Sequence, residues 1–169
     1  LGVGAASVFH LAWARVLACL CDREDAVFGT VLFGRMQGGL GADQVMGLFI
    51  NTLPVRIIAA DQGVEESVKE TQRLLAELLH HEHASLALAQ RCSGVASPTP
   101  LFTTLLNYRY SQAPPQEEGS EAPRGGIQML KGEERTNYPL TLSVDDQGEG
   151  FMLSVQAQTP IEPMRICRF

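Results

Sequence analysis

Apolar and polar positions along the chain recur with two different periods, and the switches between them mark the elements. The run AASVFHLAWARVLACL, residues 5–20, is apolar on nearly every side and predicts a largely buried helix. AVFGTVLFG, residues 26–34, is β-branched and aromatic and predicts a buried strand. RMQGGLGAD, residues 35–43, reads as a glycine-rich loop, with a short helix following around 43–48. TLPVRIIAA, residues 52–60, is the next strand. Pro54 lacks an N–H, which confines that strand to a sheet edge or an irregular start. Asp61 then offers an N-cap, with Glu65 and Glu66 in the first turn. Val64, Val68, Leu75, Leu78 and Leu79 recur at helical spacing, so 63–82 reads as an amphipathic helix, with a second short helix over 85–92.

PLFTTLLNYRYS, residues 100–111, reads as a central strand. QAPPQEEGSEAPRGG, residues 112–126, is poor in apolar residues and rich in Pro, Glu and Gly, the composition of a mobile surface loop. Leu140, Leu142 and Val144 alternate with polar residues, and so do Phe151, Leu153 and Val155. With DDQGEG between them as a turn, this is a β-hairpin with one buried face. No internal repeat is present. The order helix, strand, helix, strand, long helix, strand, hairpin fits an α+β class: a two-layer sandwich with helices on one face of a mixed sheet.

The remaining bulk properties narrow the function. The length of 169 residues suits one domain, and 45% hydrophobic content supplies a real core. A formal net charge of −6, with no basic block interleaved with aromatics, argues against a nucleic-acid partner. Cys19 and Cys21 are too close for a metal knuckle, and Cys92 and Cys167 provide no second pair. With no signal sequence visible, reduced thiols and a cytoplasmic location are expected. His10 and Arg15 interrupt the first apolar run, which favours a core helix over a membrane span. Both ends read as cut: Leu1 is no start methionine, and PIEPMRICRF stops on apolar residues without a helix cap.

Candidate chemistry is sparse. His80 and His83 in HHEHASL share a helix face, but no third or fourth ligand volunteers itself, so a solvated helix end is expected and no metal. Histidines near a helix C-terminus also suit the helix dipole. FGRMQGGLGAD lacks the Gly-Lys-Ser/Thr ending of a P-loop and the spacing of a dinucleotide fingerprint; its glycines suit close backbone approach beside a site. There is no Gly-x-Ser-x-Gly elbow. No self-contained catalytic constellation is present, and no catalytic residue is assigned.

GLFINTLPVR, residues 47–56, closely resembles a signature of the condensation domains of non-ribosomal peptide synthetases. DAVFGTVLFGR (25–35) resembles the strand and Gly-Arg loop before that signature, HEHASLALAQRCSG (81–94) the motif after it, and PLFTTLLNYRYS the next. TNYPLTLSVDDQGEGFMLSVQAQ (136–158) is similar to the closing hairpin. The resemblance covers nearly the whole chain, in order. It implies a fold of two chloramphenicol-acetyltransferase-like lobes in a V, with a tunnel between them that takes two phosphopantetheine arms. The upstream arm carries an acyl or peptidyl thioester and the downstream arm an aminoacyl thioester, whose amine attacks the first to form an amide. The family's catalytic His-His-x-x-x-Asp-Gly motif lies on the first lobe and is absent from this sequence. HHEHASL is not a variant of it.

The resemblance therefore implies the second, C-terminal lobe, spanning 1–169, truncated at both ends and inactive alone. Its implied partners are the N-terminal lobe, the peptidyl or acyl carrier proteins and an adjacent adenylation domain, with no membrane and no directly bound cofactor. Self-association is expected when it is isolated, because the surface meant for the other lobe is large and apolar. The implied tunnel residues are Gly34, Arg35, Asn51, Thr52 and Ser143. Asn51 has two open roles: an amide that positions substrate or an oxyanion, or a backbone cap at the turn into the strand. Ser143 is as compatible with facing solvent. Arg56 is expected to hold structure through a charge-assisted hydrogen bond. Phe33 stands where many relatives have a small residue, and its ring either narrows the tunnel or points into the core. Two rival readings are an epimerisation-domain lobe and a non-catalytic module that docks carrier proteins.

Overall fold

A computed structural model describes residues 1–35, 41, 44–58, 63–110 and 134–169. The expected Asp61 cap and the loop over 112–126 lie outside these residues. Five strands form one sheet in the order β2-β1-β3-β4-β5. They are β1 (Asp25–Leu32), β2 (Asn51–Ile58), β3 (Thr104–Tyr110), β4 (Leu140–Asp146) and β5 (Phe151–Ala157). β1 pairs antiparallel with β2 and parallel with β3; β4 pairs parallel with β3 and antiparallel with β5. The sheet is therefore mixed, as the element order implied. β3 is its central strand, and β2, the strand with Pro54, is an edge.

Helices α1 (Ala5–Cys21) and α2 (Val64–His80) pack on one another, and α1 packs on β1. The buried positions of α1 are Ser7, His10, Leu11, Trp13, Ala14, Leu17 and Ala18, a stripe of helical period. Alternation along each strand sends Ala26, Phe28, Val55, Ile57, Leu106, Leu140, Leu142 and Val144 to that same side, into one core with Trp13 and Val68. His10 ties the layers together. Its Nδ1 stands 2.6 Å from the Ala6 carbonyl and its Nε2 2.7 Å from the Thr30 hydroxyl. A carbonyl only accepts, so Nδ1 carries the hydrogen and Nε2 accepts from Thr30. Burial pushes this imidazole down to about pKa 4, and it is neutral. At the start of α1, the Gln72 Oε1 of α2 accepts from the Ser7 hydroxyl at 2.7 Å and the Gly4 N–H at 3.0 Å.

The opposite face of the sheet carries Val27, Gly29, Thr52, Pro54, Arg56, Asn107, Thr141 and Ser143 by the same alternation. Its centre is covered by Phe102, which stacks on Tyr138 at 5.5 Å between centroids. Phe102 reaches the backbone itself: a Cβ on Gly29 would stand 2.4 Å from its ring. Only glycine admits that approach.

Three expectations need correction. Residues 45–48 form no helix; this stretch is coil, with Gly47 at φ 151° and its carbonyl bound by Arg35. Val64 is 69% exposed: it is the first residue of α2, where the buried residues are Ser67, Val68 and Thr71. The hairpin does not bury one face of both strands. β4 is buried on both faces from Leu140 to Val144, whereas Phe151, Met152 and Leu153 on β5 are exposed, since β5 is the far edge. Within PIEPMRICRF, Pro163–Cys167 forms a short helix, α4, with proline in its first turn, where a missing N–H costs nothing. The four cysteines are free and exposed, and among the described residues no helix is long and apolar enough to cross a membrane.

Candidate functional site

The expected site residues cluster where β1 ends and β2 begins. The closing pair of the β1–β2 ladder is Leu32 opposite Asn51. Just beyond it the chain turns through Gly34, at φ 72°, with no room for a side chain: a Cβ there would stand 1.9 Å from the Phe49 carbonyl oxygen. Arg35 follows. Its Nη2 donates to the Gly47 carbonyl at 3.0 Å, and its guanidinium carbon lies over the rings of Phe33 and Phe49 at 5.3 and 4.8 Å. Phe33 is 56% exposed, so its ring does not point into the core.

Asn51 is a clamp. Its Nδ2 donates to the carbonyls of Glu82 and Ala84, both at 2.8 Å, and its Oδ1 accepts the Thr52 N–H at 2.9 Å. Both amide hydrogens are thus committed to the backbone that connects α2 to α3 (Leu86–Cys92). α3 in turn starts at Ser85, whose hydroxyl accepts from the Leu88 N–H at 3.2 Å. Asn51 shares the alternation of Leu53 and Val55, the side that α2 covers, whereas Thr52 faces the other way. Asn51 and Thr52 are neighbours in sequence and serve opposite faces of the sheet.

Ser143 lies three strands from Thr52 in the order β2-β1-β3-β4, about 14 Å away at ordinary strand spacing. It sits opposite Asn107 on β3 and is 5% exposed, so it does not face solvent. Gly34, Arg35, Asn51 and Thr52 are brought together, and Ser143 is not among them. It shares with Thr52 the sheet face turned away from the core.

The histidine stretch is partly as expected. His80, His81 and His83 are exposed at the end of α2, with His81 Nε2 3.7 Å from Glu77 and His83 Nε2 3.7 Å from Glu82. Glu82 departs from the solvated helix end: it is 1% exposed, and its own carbonyl is one of the two that Asn51 clamps. Nothing in HHEH distinguishes this carboxylate from its exposed neighbours. Among the described residues no group of three or more His, Cys, Asp or Glu side chains could hold a metal. Arg56 Nε donates to Asp25 at 2.7 Å across the β1–β2 pair, which draws the Asp25 carboxyl below its ordinary range. A separate groove of about 520 Å³ runs between β2 and α2, flanked by Pro54, Arg56, Glu70, Leu74 and Glu77, and involves none of the expected tunnel residues.

Residues 1–161 match the family model described as "Condensation domain". The chain is similar to malpibaldin synthetase of Mortierella alpina, 53% identical over 170 residues, covering 100% of this chain and 3% of that protein. It is similar also to vanchrobactin synthetase VabF of Vibrio anguillarum, 32% identical over 147 residues, covering 85% of this chain and 5% of that protein. Among solved structures it resembles the condensation domain from monacolin K polyketide synthase MokA, with TM-score 0.68 and 21% identity over 96% of this chain and 38% of that one. It likewise resembles the starter condensation domain of rhizomide synthetase RzmA, with TM-score 0.72 and 19% identity over 96% of this chain and 37% of that one. The chain thus spans a few per cent of the curated relatives' length and under two-fifths of these solved chains.

Proposed function

This chain belongs to the condensation-domain family, and from that membership we propose that it is the C-terminal lobe of a condensation domain in a non-ribosomal peptide synthetase. The observation that carries the reading is the pairing of two extents. The family match runs over residues 1–161, yet the chain covers only 38% of a solved condensation-domain chain. Such a chain is one lobe of two. The chloramphenicol-acetyltransferase-like fold, a mixed sheet with helices on one face, is the expected half.

The reaction of the whole domain is amide formation. The amine of a carrier-bound aminoacyl thioester attacks the carbonyl of a carrier-bound acyl or peptidyl thioester; the thiol of the phosphopantetheine arm leaves, and the amine gives up a proton. This lobe contributes one wall of the tunnel in which the two arms meet, through the sheet end at Gly34, Arg35 and Thr52. The His-His-x-x-x-Asp-Gly motif is not in this sequence, so proton transfer belongs to the other lobe. General acid–base catalysis is worth roughly 100- to 10,000-fold, and positioning needs both walls; the lobe alone is inactive. Its partners are the N-terminal lobe, carrier proteins and an adenylation domain, in the cytoplasm.

The test is the coding sequence upstream of Leu1. An open frame that continues into a His-His-x-x-x-Asp-Gly motif supports the reading. A start codon close by, with no such motif before it, removes the other lobe and leaves a non-catalytic module.

A further inference from the structure

We infer that Phe33, Arg35 and Phe49 act as one unit that sets the first residues of β2, and that Arg35 is a positioning residue for condensation, not a substrate contact. The inference rests on the condensation reading above. The Arg35 guanidinium lies over both rings, 5.3 and 4.8 Å from their centroids, while donating to the Gly47 carbonyl at 3.0 Å. A planar, delocalised cation stacked on aromatic faces is held in one orientation. A substrate contact would have to draw that group away from two rings and a carbonyl.

The backbone is shaped to the same contact. Gly34 and Gly47 both have positive φ, 72° and 151°. A Cβ at Gly34 would stand 1.9 Å from the Phe49 carbonyl oxygen, and a Cβ at Gly47 would stand 2.8 Å from the Phe49 ring. The Gly34 contact thus brings segments 33–35 and 47–49 closer than residues with side chains allow, while Gly47 leaves room for the Phe49 ring to lie back against its own segment. Phe33 and Phe49 are 56% and 36% exposed, so the core does not fix their rings; the guanidinium is the contact that does.

What the unit holds is adjacent in the chain. Two residues after Phe49, Asn51 clamps the Glu82 and Ala84 carbonyls, and Thr52 opens the sheet face that also carries Ser143. A displacement at Gly47–Phe49 passes directly into both. Removing the cation frees the two rings and one carbonyl together, and the head of β2 loses its register with the end of β1.

The experiment uses the intact condensation domain. Amide formation and thermal unfolding are measured for wild type, Arg35→Ala, Arg35→Lys, Phe49→Ala and the Arg35→Ala/Phe49→Ala pair. At a temperature where every variant is folded, Arg35→Ala is expected to lower kcat about tenfold. KM for the carrier-bound acceptor should stay within about twofold. Lysine keeps a cation and a donor but not the planar fork, so Arg35→Lys should recover part of the rate. The double variant should be little worse than either single one, because the residues form one unit. Unchanged kcat in folded Arg35→Ala overturns the inference. So does a raised KM with unchanged kcat, which marks a direct substrate contact, and so do additive losses in the double variant. A wild-type domain that makes no amide sinks the condensation reading itself. The melting shifts then decide the unit: non-additive shifts support it, and additive shifts remove it.

Discussion

The side-chain amide of Asn51 and the backbone carbonyl of Ala84 stand 2.8 Å apart, 33 residues distant in sequence. With its second bond to the Glu82 carbonyl, the amide joins the start of an edge strand to the turn between two helices. A carboxamide can serve two carbonyls and one N–H at once, which neither a hydroxyl nor a carboxylate can do. Polar residues in the strand-like stretch GLFINTLPVR thus have definite work: Asn51 clamps, Pro54 marks the edge, and Arg56 pairs with Asp25.

Asn51→Ala is expected to destabilise the chain by about 1–3 kcal/mol, since it strands two part-buried carbonyls. Asn51→Asp should be worse, because a carboxylate turns acceptors toward acceptors. Thermal melts check this. A melting temperature unchanged in both variants would mean that the clamp carries no stability.

Gly34→Ala should cost about 2 kcal/mol or more, combining a left-handed backbone with a clash against the Phe49 carbonyl. Gly148→Ala is the control. Its φ of 85° is also positive, but nothing lies within 4 Å of the added Cβ, so only the backbone term of about 1 kcal/mol applies. Equal losses in denaturant unfolding of the two variants contradict the steric argument.

His10 makes stability depend on pH. The unfolded imidazole takes up a proton near 6.5, and the folded one only near 4. Between those values the unfolded chain binds more protons, so stability falls as pH falls through this window and is complete above it. The loss is on the order of 3 kcal/mol at the acid end. Asp25, whose pKa is lowered mainly by its hydrogen bond from Arg56, acts in the same direction below its ordinary carboxylate range. Denaturant midpoints measured from pH 7 to pH 4 should slope downward in wild type and flatten in His10→Gln.

The isolated chain should self-associate through Met46, Leu48 and Ile50, which are 95%, 88% and 57% exposed, as Phe33 is at 56%. Light scattering behind size exclusion should show mass rising with concentration. Met46→Lys with Leu48→Glu should return the chain to a monomer. A wild-type monomer at all concentrations removes the claim.

Much of this fold is legible in the sequence because the strands announce themselves by alternation and β-branching, and because Pro54 states its own place at an edge. What escaped was set by neighbours distant in sequence. β5 alternates as cleanly as β4 does, yet Phe151, Met152 and Leu153 stay exposed and only Val155 and Ala157 pack against the core, since edge position is a property of the sheet and not of the strand. Glu82 is buried within the connection whose carbonyls Asn51 clamps, in the wholly polar stretch HHEH. Residues 45–48 carry helical residues but are tied as coil by an arginine ten or more positions upstream. The site itself was legible only by resemblance. Its glycines were visible, but the ring-and-guanidinium contacts that explain them join residues 33–35 to residue 49 across the β1–β2 connection.

We propose that residues 1–169 complete a condensation domain whose other part lies on a longer chain. The most direct measurement loads two carrier proteins with phosphopantetheine-bound acyl and aminoacyl thioesters and follows the amide product by mass spectrometry. It is run with the intact domain and with residues 1–169 alone. Amide product from the intact domain and only background from residues 1–169 alone is the expected result. Product from residues 1–169 alone at the intact domain's rate, or none from the intact domain, would contradict the proposal.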